Sequence, residues 1–272
     1  MLATKDFVLL NMPKTGSSFA RSVIKKAYRA RATRSPLSRV AKLWGASHLS
    51  DPLEEILVAP LDARHRSGLS QHGTIEQIPN RHRAKPIISV TRHPLTRLVS
   101  AYRFKDWARF PPAQVTQLEA EFPSWPNLSV EEWYDMVHRF TLKNRLRGHK
   151  IKADMGIFQV QFIQMYYRTP MEVLVNTTEE DIDSGLLASL IPRMQFLRQE
   201  NLRDDLRTLL LNYGFMDDEL SIIDQHPDLN LTGKSVHSSQ KSWSSLLPQT
   251  IRSDFVHRNR LLFQIFPEYA ND

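Results

Sequence analysis

Lys14 stands two residues before Gly16, and Ser17 and Ser18 follow immediately. A lysine, a glycine and two hydroxyls on one short loop are the parts of a phosphate cradle. The stretch Pro13-Lys14-Thr15-Gly16-Ser17-Ser18-Phe19 comes directly after the apolar run Phe7-Val8-Leu9-Leu10. A short buried strand therefore ends there, and a helix starts near Ser17. Such a junction aims free backbone N–H groups and a helix N-terminus at one point in space. Lys14 adds a mobile positive charge, and Thr15, Gly16, Ser17 and Ser18 supply the cradle. An ATP-type P-loop places its lysine after the second glycine, whereas here the lysine comes first. The order points to the phosphate of a different nucleotide. A simple helix cap would account for one serine and leave the glycine and the second hydroxyl without a task.

A second constellation follows the apolar run Ile87-Ile88-Ser89-Val90-Thr91, which leads straight into Arg92-His93-Pro94-Leu95-Thr96-Arg97-Leu98-Val99-Ser100-Ala101-Tyr102. Pro94 suits the first turn of a helix, where its missing N–H costs nothing. In that helix Leu95, Leu98, Val99 and Tyr102 form an apolar stripe, and Arg97, Ser100 and Phe104 lie off it. Arg92 at the strand end and Ser100 two turns into the helix can meet one phosphate, by a guanidinium fork and a hydroxyl. Arg97 reads equally well as a second phosphate contact or as a surface charge.

Together the two segments resemble the sulfotransferases that use 3′-phosphoadenosine 5′-phosphosulfate (PAPS). Pro13 to Phe19 is similar to that family's loop for the 5′-phosphosulfate, Pro-Lys-(Thr/Ser)-Gly-Thr-Thr-Trp. Arg92, Pro94 and Ser100 are similar to its 3′-phosphate signature, in which arginine and serine stand eight apart, as they do here. The segment Phe196 to Leu206, with Glu200-Asn201-Leu202 at its centre, resembles one found in carbohydrate sulfotransferases, and Leu229-Asn230-Leu231-Thr232 and the ending Leu262 to Tyr269 are similar to that branch too. Ser17-Ser18 replaces the commoner Thr-Thr and keeps both hydroxyls; Phe19 stands where tryptophan is frequent, with stacking on adenine as the implied role. The resemblance implies a P-loop-like open parallel sheet flanked by helices, with the donor at the carboxyl ends of the strands. It implies an enzyme that moves a sulfuryl group from PAPS to an acceptor hydroxyl, on a carbohydrate or glycoconjugate.

Sulfuryl transfer needs charge stabilised on the transferred and leaving groups, and a base for the acceptor. Lys14 is the leaving-group stabiliser that the resemblance implies. His72, in Ser70-Gln71-His72-Gly73, lies upstream of the second motif, where carbohydrate sulfotransferases often carry a histidine base. His48, His65 and several glutamates compete for that role. Lys234, in Thr232-Gly233-Lys234-Ser235, lies in a polar segment that the resemblance marks as a basic lid over the donor. The donor carries its own reactive bond, so no metal is required, and no His-Glu-x-x-His or acidic cluster offers one.

The 272 residues suit one α/β domain, and 41% apolar with 24% charged content is ordinary for a globular protein. No run approaches the ~18 apolar residues of a membrane span. The first strand begins within seven residues, too early for a leader ahead of it, and no cysteine occurs. Disulfides and thiolate metal sites are thereby excluded, and a cytoplasmic enzyme fits. The net charge of +7 is spread without a zinc finger or RNA-binding signature, so it reads as potential for an anionic donor rather than for nucleic acid.

Strands are expected at Phe7–Leu10, Ile56–Ala59, Ile87–Thr91, Val173–Asn176 and Met194–Arg198, alternating with helices at 17–30, 94–108, 130–140, 157–167, 179–190, 202–213 and 245–263. Asn201 is the expected N-cap of the 202–213 helix, and Gly214 its C-terminal stop. Excursions from the sheet are expected over 31–83 and 109–154, where they would shape the acceptor site. Two rival readings stand beside the sulfotransferase. One is a kinase-like phosphotransferase with a degenerate P-loop, and the other a non-catalytic nucleotide- or polyanion-binding protein.

Overall fold

The computed structural model describes residues 1–34, 52–61, 68–227 and 242–270. Lys234, His48 and His65 lie outside the described residues. Five strands make one mixed sheet: β1 (Leu2–Thr4), β2 (Val8–Leu10), β3 (Leu53–Glu55), β4 (Ile87–Thr91) and β5 (Gln195–Arg198), in the order β3-β1-β2-β4-β5. β2, β4 and β5 are parallel, with Leu10 opposite Ser89 and Thr91 opposite Arg198. The all-parallel expectation fails at one side, because β1 runs antiparallel to both β2 and β3. The turn at Thr4 explains this. Its hydroxyl oxygen accepts from the amides of Asp6 and Phe7, and its own amide donates to the Phe7 carbonyl. A turn this short can reverse a chain into a hairpin but cannot make the long crossover that a parallel neighbour needs.

Six helices surround the strand ends that carry the two motifs: α1 (Ser17–Arg34), α2 (Pro94–Phe104), α3 (Ile157–Tyr166), α4 (Leu202–Asn212), α5 (Asp217–Gln225) and α6 (Arg260–Ile265). Alternation along the strands sends side chains to both faces. Phe7, Leu9, Ile88, Val90 and Leu197 pack with α1, α4 and α5, while Val8 and Leu10 pack with α2, α3 and α6. Helices therefore cover both faces of the sheet.

Other boundaries differ from the expectation for local reasons. Val173–Asn176 is helix, not strand: Pro170 opens the helix Pro170–Asn176, whose Leu174 is fully buried. Four apolar residues are too few to distinguish the two periods, and proline at the first position favours the helix. The expected strand at Ile56–Ala59 begins earlier, at Leu53–Glu55, and beyond it only Val58 bridges to Ser70. α2 stops at Lys105, which is left-handed at φ 51°, and the 179–190 helix breaks at Gly185, φ 78°. The last expected helix is divided into Ser242–Leu246, Gln249–Arg258 and α6, with Pro248 before the second. Asn201 precedes α4 but makes no side-chain cap. No described helix is long and apolar enough to cross a membrane.

Candidate functional site

Because β2, β4 and β5 are parallel neighbours, their carboxyl ends release three loops side by side. These carry Asn11 to Gly16, Arg92 to His93, and Gln199 to Asn201. The first loop closes on itself. The Thr15 and Ser17 hydroxyls both donate to the Met12 carbonyl, at 3.0 and 2.8 Å, and the Phe19 amide donates to the Gly16 carbonyl. Ser18 is half-buried beside them. Gly16 is left-handed at φ 86°, and a Cβ there would lie 3.1 Å from Gln199 and 3.2 Å from Leu202. Only glycine serves both that turn and that close approach.

Arg92 leaves the end of β4 and donates from Nη1 to the Lys14 carbonyl at 3.4 Å, across 78 residues of sequence. Its Nε is buried without a partner. Burial pulls the guanidinium's pKa below its usual value, against the nearby Glu200 carboxylate, which favours the charge. Lys14 is left-handed at φ 66°, and its Nζ lies over the Phe104 ring, 2.7 Å from the centroid. Burial lowers its pKa to about 8, with Asp106 opposing and Arg92 reinforcing the shift. No salt bridge holds Lys14, Arg92 or Arg97 among the described residues. The loop edge is thus basic and incompletely paired.

His72 comes to the same edge by another route. The Val58–Ser70 bridge turns the chain back, and Asn11 Nδ2 donates to the Gln71 carbonyl at 3.4 Å. His72 Nδ1 then donates to the Asn11 carbonyl at 2.7 Å. A carbonyl can only accept, so Nδ1 carries the proton, and in the neutral ring Nε2 keeps the lone pair. That tautomer makes Nε2 the basic nitrogen of the ring. Asn11 is 1% exposed, and its Oδ1 has no partner.

Ser100 lies half-buried on α2. Phe19 lies inward, at 7% exposure. The Arg203 guanidinium covers its ring at 4.8 Å, and His226 meets it edge-on at 5.3 Å. The structure therefore brings Lys14 to Ser18, His72 and Arg92 to one edge, and packs Phe19 against protein.

Glu200 has no role assigned by the sequence pattern, and for Arg97 that pattern leaves two open. Glu200 accepts from the His93 amide at 2.8 Å and from the Tyr269 hydroxyl at 3.0 Å, fixing the start of α2 beside Arg92. Its sequence signal is membership of the Glu200-Asn201-Leu202 segment, but only the sheet order places it next to Arg92. Arg97 is not a surface charge: it is 4% exposed beneath the Pro13 carbonyl. No known protein family, no characterised protein and no solved structure matches the chain.

Proposed function

We propose that this chain is a PAPS-dependent sulfotransferase whose acceptor is a hydroxyl on a carbohydrate or glycoconjugate. One observation carries the reading. Two phosphate-type motifs, remote in sequence, meet where Arg92 reaches the Lys14 carbonyl, and Arg92 keeps a buried, unpartnered Nε. A desolvated guanidinium with spare donors is matched by an anion of fixed geometry. PAPS fits this donor set, because its two phosphate positions need two cationic sites, and it brings a sulfuryl group already activated on phosphate.

The remaining roles belong to this chain's own side chains. The Lys14 ammonium answers the negative charge that grows on the leaving phosphate as the sulfur–oxygen bond breaks. His72 Nε2 takes the proton of the acceptor hydroxyl as its oxygen bonds to sulfur. Arg92 and Ser100 hold the 3′-phosphate, and the Gly16–Ser18 turn holds the 5′-phosphate. The other product is 3′-phosphoadenosine 5′-phosphate.

Calorimetric titration with that bisphosphate, AMP and ATP tests the proposal without knowledge of the acceptor. The bisphosphate is expected to bind far better than either. Equal affinity for AMP and the bisphosphate would remove the basis of the assignment. Bisphosphate preference without turnover of labelled PAPS over an acceptor panel would favour the non-catalytic binder.

A further inference from the structure

Arg97 projects from α2, which carries Ser100 and follows Arg92, yet two of its contacts lie on the loop of the other motif. Its Nε donates to the Pro13 carbonyl at 3.1 Å, and its Nη2 reaches Met12 Sδ at 3.3 Å. Nη2 also donates to Gln161 Oε1 on α3, and the Phe158 ring lies 4.4 Å from the guanidinium carbon. All of these partners are neutral. A fully buried cation ordinarily has a carboxylate beside it, since desolvation costs several kcal/mol per ion. Among the described residues Arg97 has no ion pair. The groups that act on it electrostatically are Tyr166, a phenol that burial keeps neutral, and the cations Arg145 and Arg92.

The Pro13 carbonyl is a telling place for that hydrogen bond. It belongs to the peptide plane that enters Lys14, which holds the left-handed conformation at φ 66°. A non-glycine residue keeps such a backbone only where its surroundings over-determine it. Arg97 supplies one such restraint from below, and Arg92 supplies another at the Lys14 carbonyl. A small cavity lies between them, lined in part by Thr15, Thr91, Arg92, Pro94 and Arg97.

We propose that Arg97 is a positioning residue for the 5′-phosphate loop, clamping the Pro13–Lys14 peptide from α2 and lending the loop a buried positive charge. The second motif then serves both phosphates, Arg92 and Ser100 for one and Arg97 for the other. The identity of the ligand rests on the donor reading above; the assignment of Arg97 to the Lys14 loop does not.

The test titrates wild type, Arg97→Met, Arg97→Lys and Arg92→Ala with both 3′-phosphoadenosine 5′-phosphate and AMP. Arg97→Met should weaken the two ligands by the same factor, about 10- to 100-fold, the range of a lost charge-assisted hydrogen bond. Its melting temperature should be unchanged or higher, because an apolar replacement of a buried ion is often neutral or stabilising. Arg97→Lys should recover part of the loss for both ligands. Arg92→Ala should weaken the bisphosphate by a larger factor than AMP, because it loses the 3′-phosphate contact as well as the restraint on the Lys14 carbonyl. Wild-type AMP affinity in Arg97→Met, a loss confined to the bisphosphate, or no recovery with lysine would each overturn the proposal. If Arg97→Met does not fold, Gln161→Leu should weaken both ligands in equal ratio, and unchanged affinities there would overturn it as well. A wild type that binds both ligands equally would sink the donor reading while leaving the Arg97 comparison to be read on AMP; a wild type that binds neither would sink both.

Discussion

In the proposed reaction Lys14 and His72 divide the chemistry, and each role has a separable signature. Burial lowers the Lys14 pKa to about 8, and the protonated form is the one that answers leaving-group charge. Deprotonation therefore removes the useful form as pH rises, and kcat/KM should fall above about pH 8. In kcat that limb should move to higher pH, because bound negative charge favours the ammonium. Lys14→Ala should lower turnover more than it weakens bisphosphate binding, since the charge it meets develops mainly in the transition state. A pH profile and a product titration on one preparation check both points. Loss of affinity with turnover intact would refute the role. For His72, the Asn11 carbonyl fixes the tautomer, so the base role depends on Nε2 being unprotonated. His72→Ala should lose about 10²–10⁴-fold in turnover and bind the bisphosphate normally. Wild-type turnover in that variant would send the search for a base first to His65 and then to Glu54, Glu55 and Glu76.

At the element scale, the site is a meeting of strand ends, and its tolerance is set where those ends touch. The β2–α1 turn lies against the β5–α4 turn at Gly16, which is left-handed and where a Cβ would lie 3.1 Å from Gln199 and 3.2 Å from Leu202. Gly16→Ala should cost about 1–3 kcal/mol in denaturant unfolding, through backbone strain and the displaced neighbours. It should weaken the bisphosphate as well, because the same turn carries the cradle. Unchanged stability would mean that α4 can move aside. The third loop acts through Glu200, which ties α2 to α6's side of the molecule by way of His93 and Tyr269. Glu200→Ala leaves two buried donors short of an acceptor, and a cost of about 1–3 kcal/mol is expected in the same assay. α1 shows how a short signal can carry an element: Gly16 accepts from Phe19 and Ala20, and the apolar face of Val23, Ile24, Ala27 and Tyr28 keeps the helix on the sheet.

For the whole molecule, charge is the property that no single element owns. The chain carries 36 basic and 29 acidic residues, and the cations at the loop edge, Lys14, Arg92 and Arg97, form no ion pair among the described residues. Much of the remaining charge is neutralised in pairs at the surface, such as Arg258 with Asp254 and Arg207 with Asp224. Binding of a multiply charged nucleotide should therefore weaken as salt rises, over the range where the Debye length falls from about 10 Å to about 3 Å. Calorimetry of the bisphosphate across that range measures the slope. A flat response would show that the field of the basic edge contributes nothing to affinity.

The sequence by itself determined the parts whose causes are local. A glycine turn after an apolar run marked the end of β2 and the start of α1, and Pro94 marked the start of α2 to the residue. Both motifs were legible for that reason. What the sequence could not decide was anything set by partners far along the chain. The apolar run at Val173 is compatible with strand or helix, and Pro170 together with burial of Leu174 settled it as helix. The hairpin that makes the sheet mixed depends on the hydrogen bonds at Thr4, which hydrophobic pattern does not reveal. Arg97 was open between surface and ligand because helical spacing gives its angle around α2, not what α3 places against that face. His72 gained its fixed tautomer, and Arg92 its neighbour Glu200, only when parallel pairing set β2, β4 and β5 in one order. Strand order is a property of long-range packing, and the site exists where that order brings three loops together.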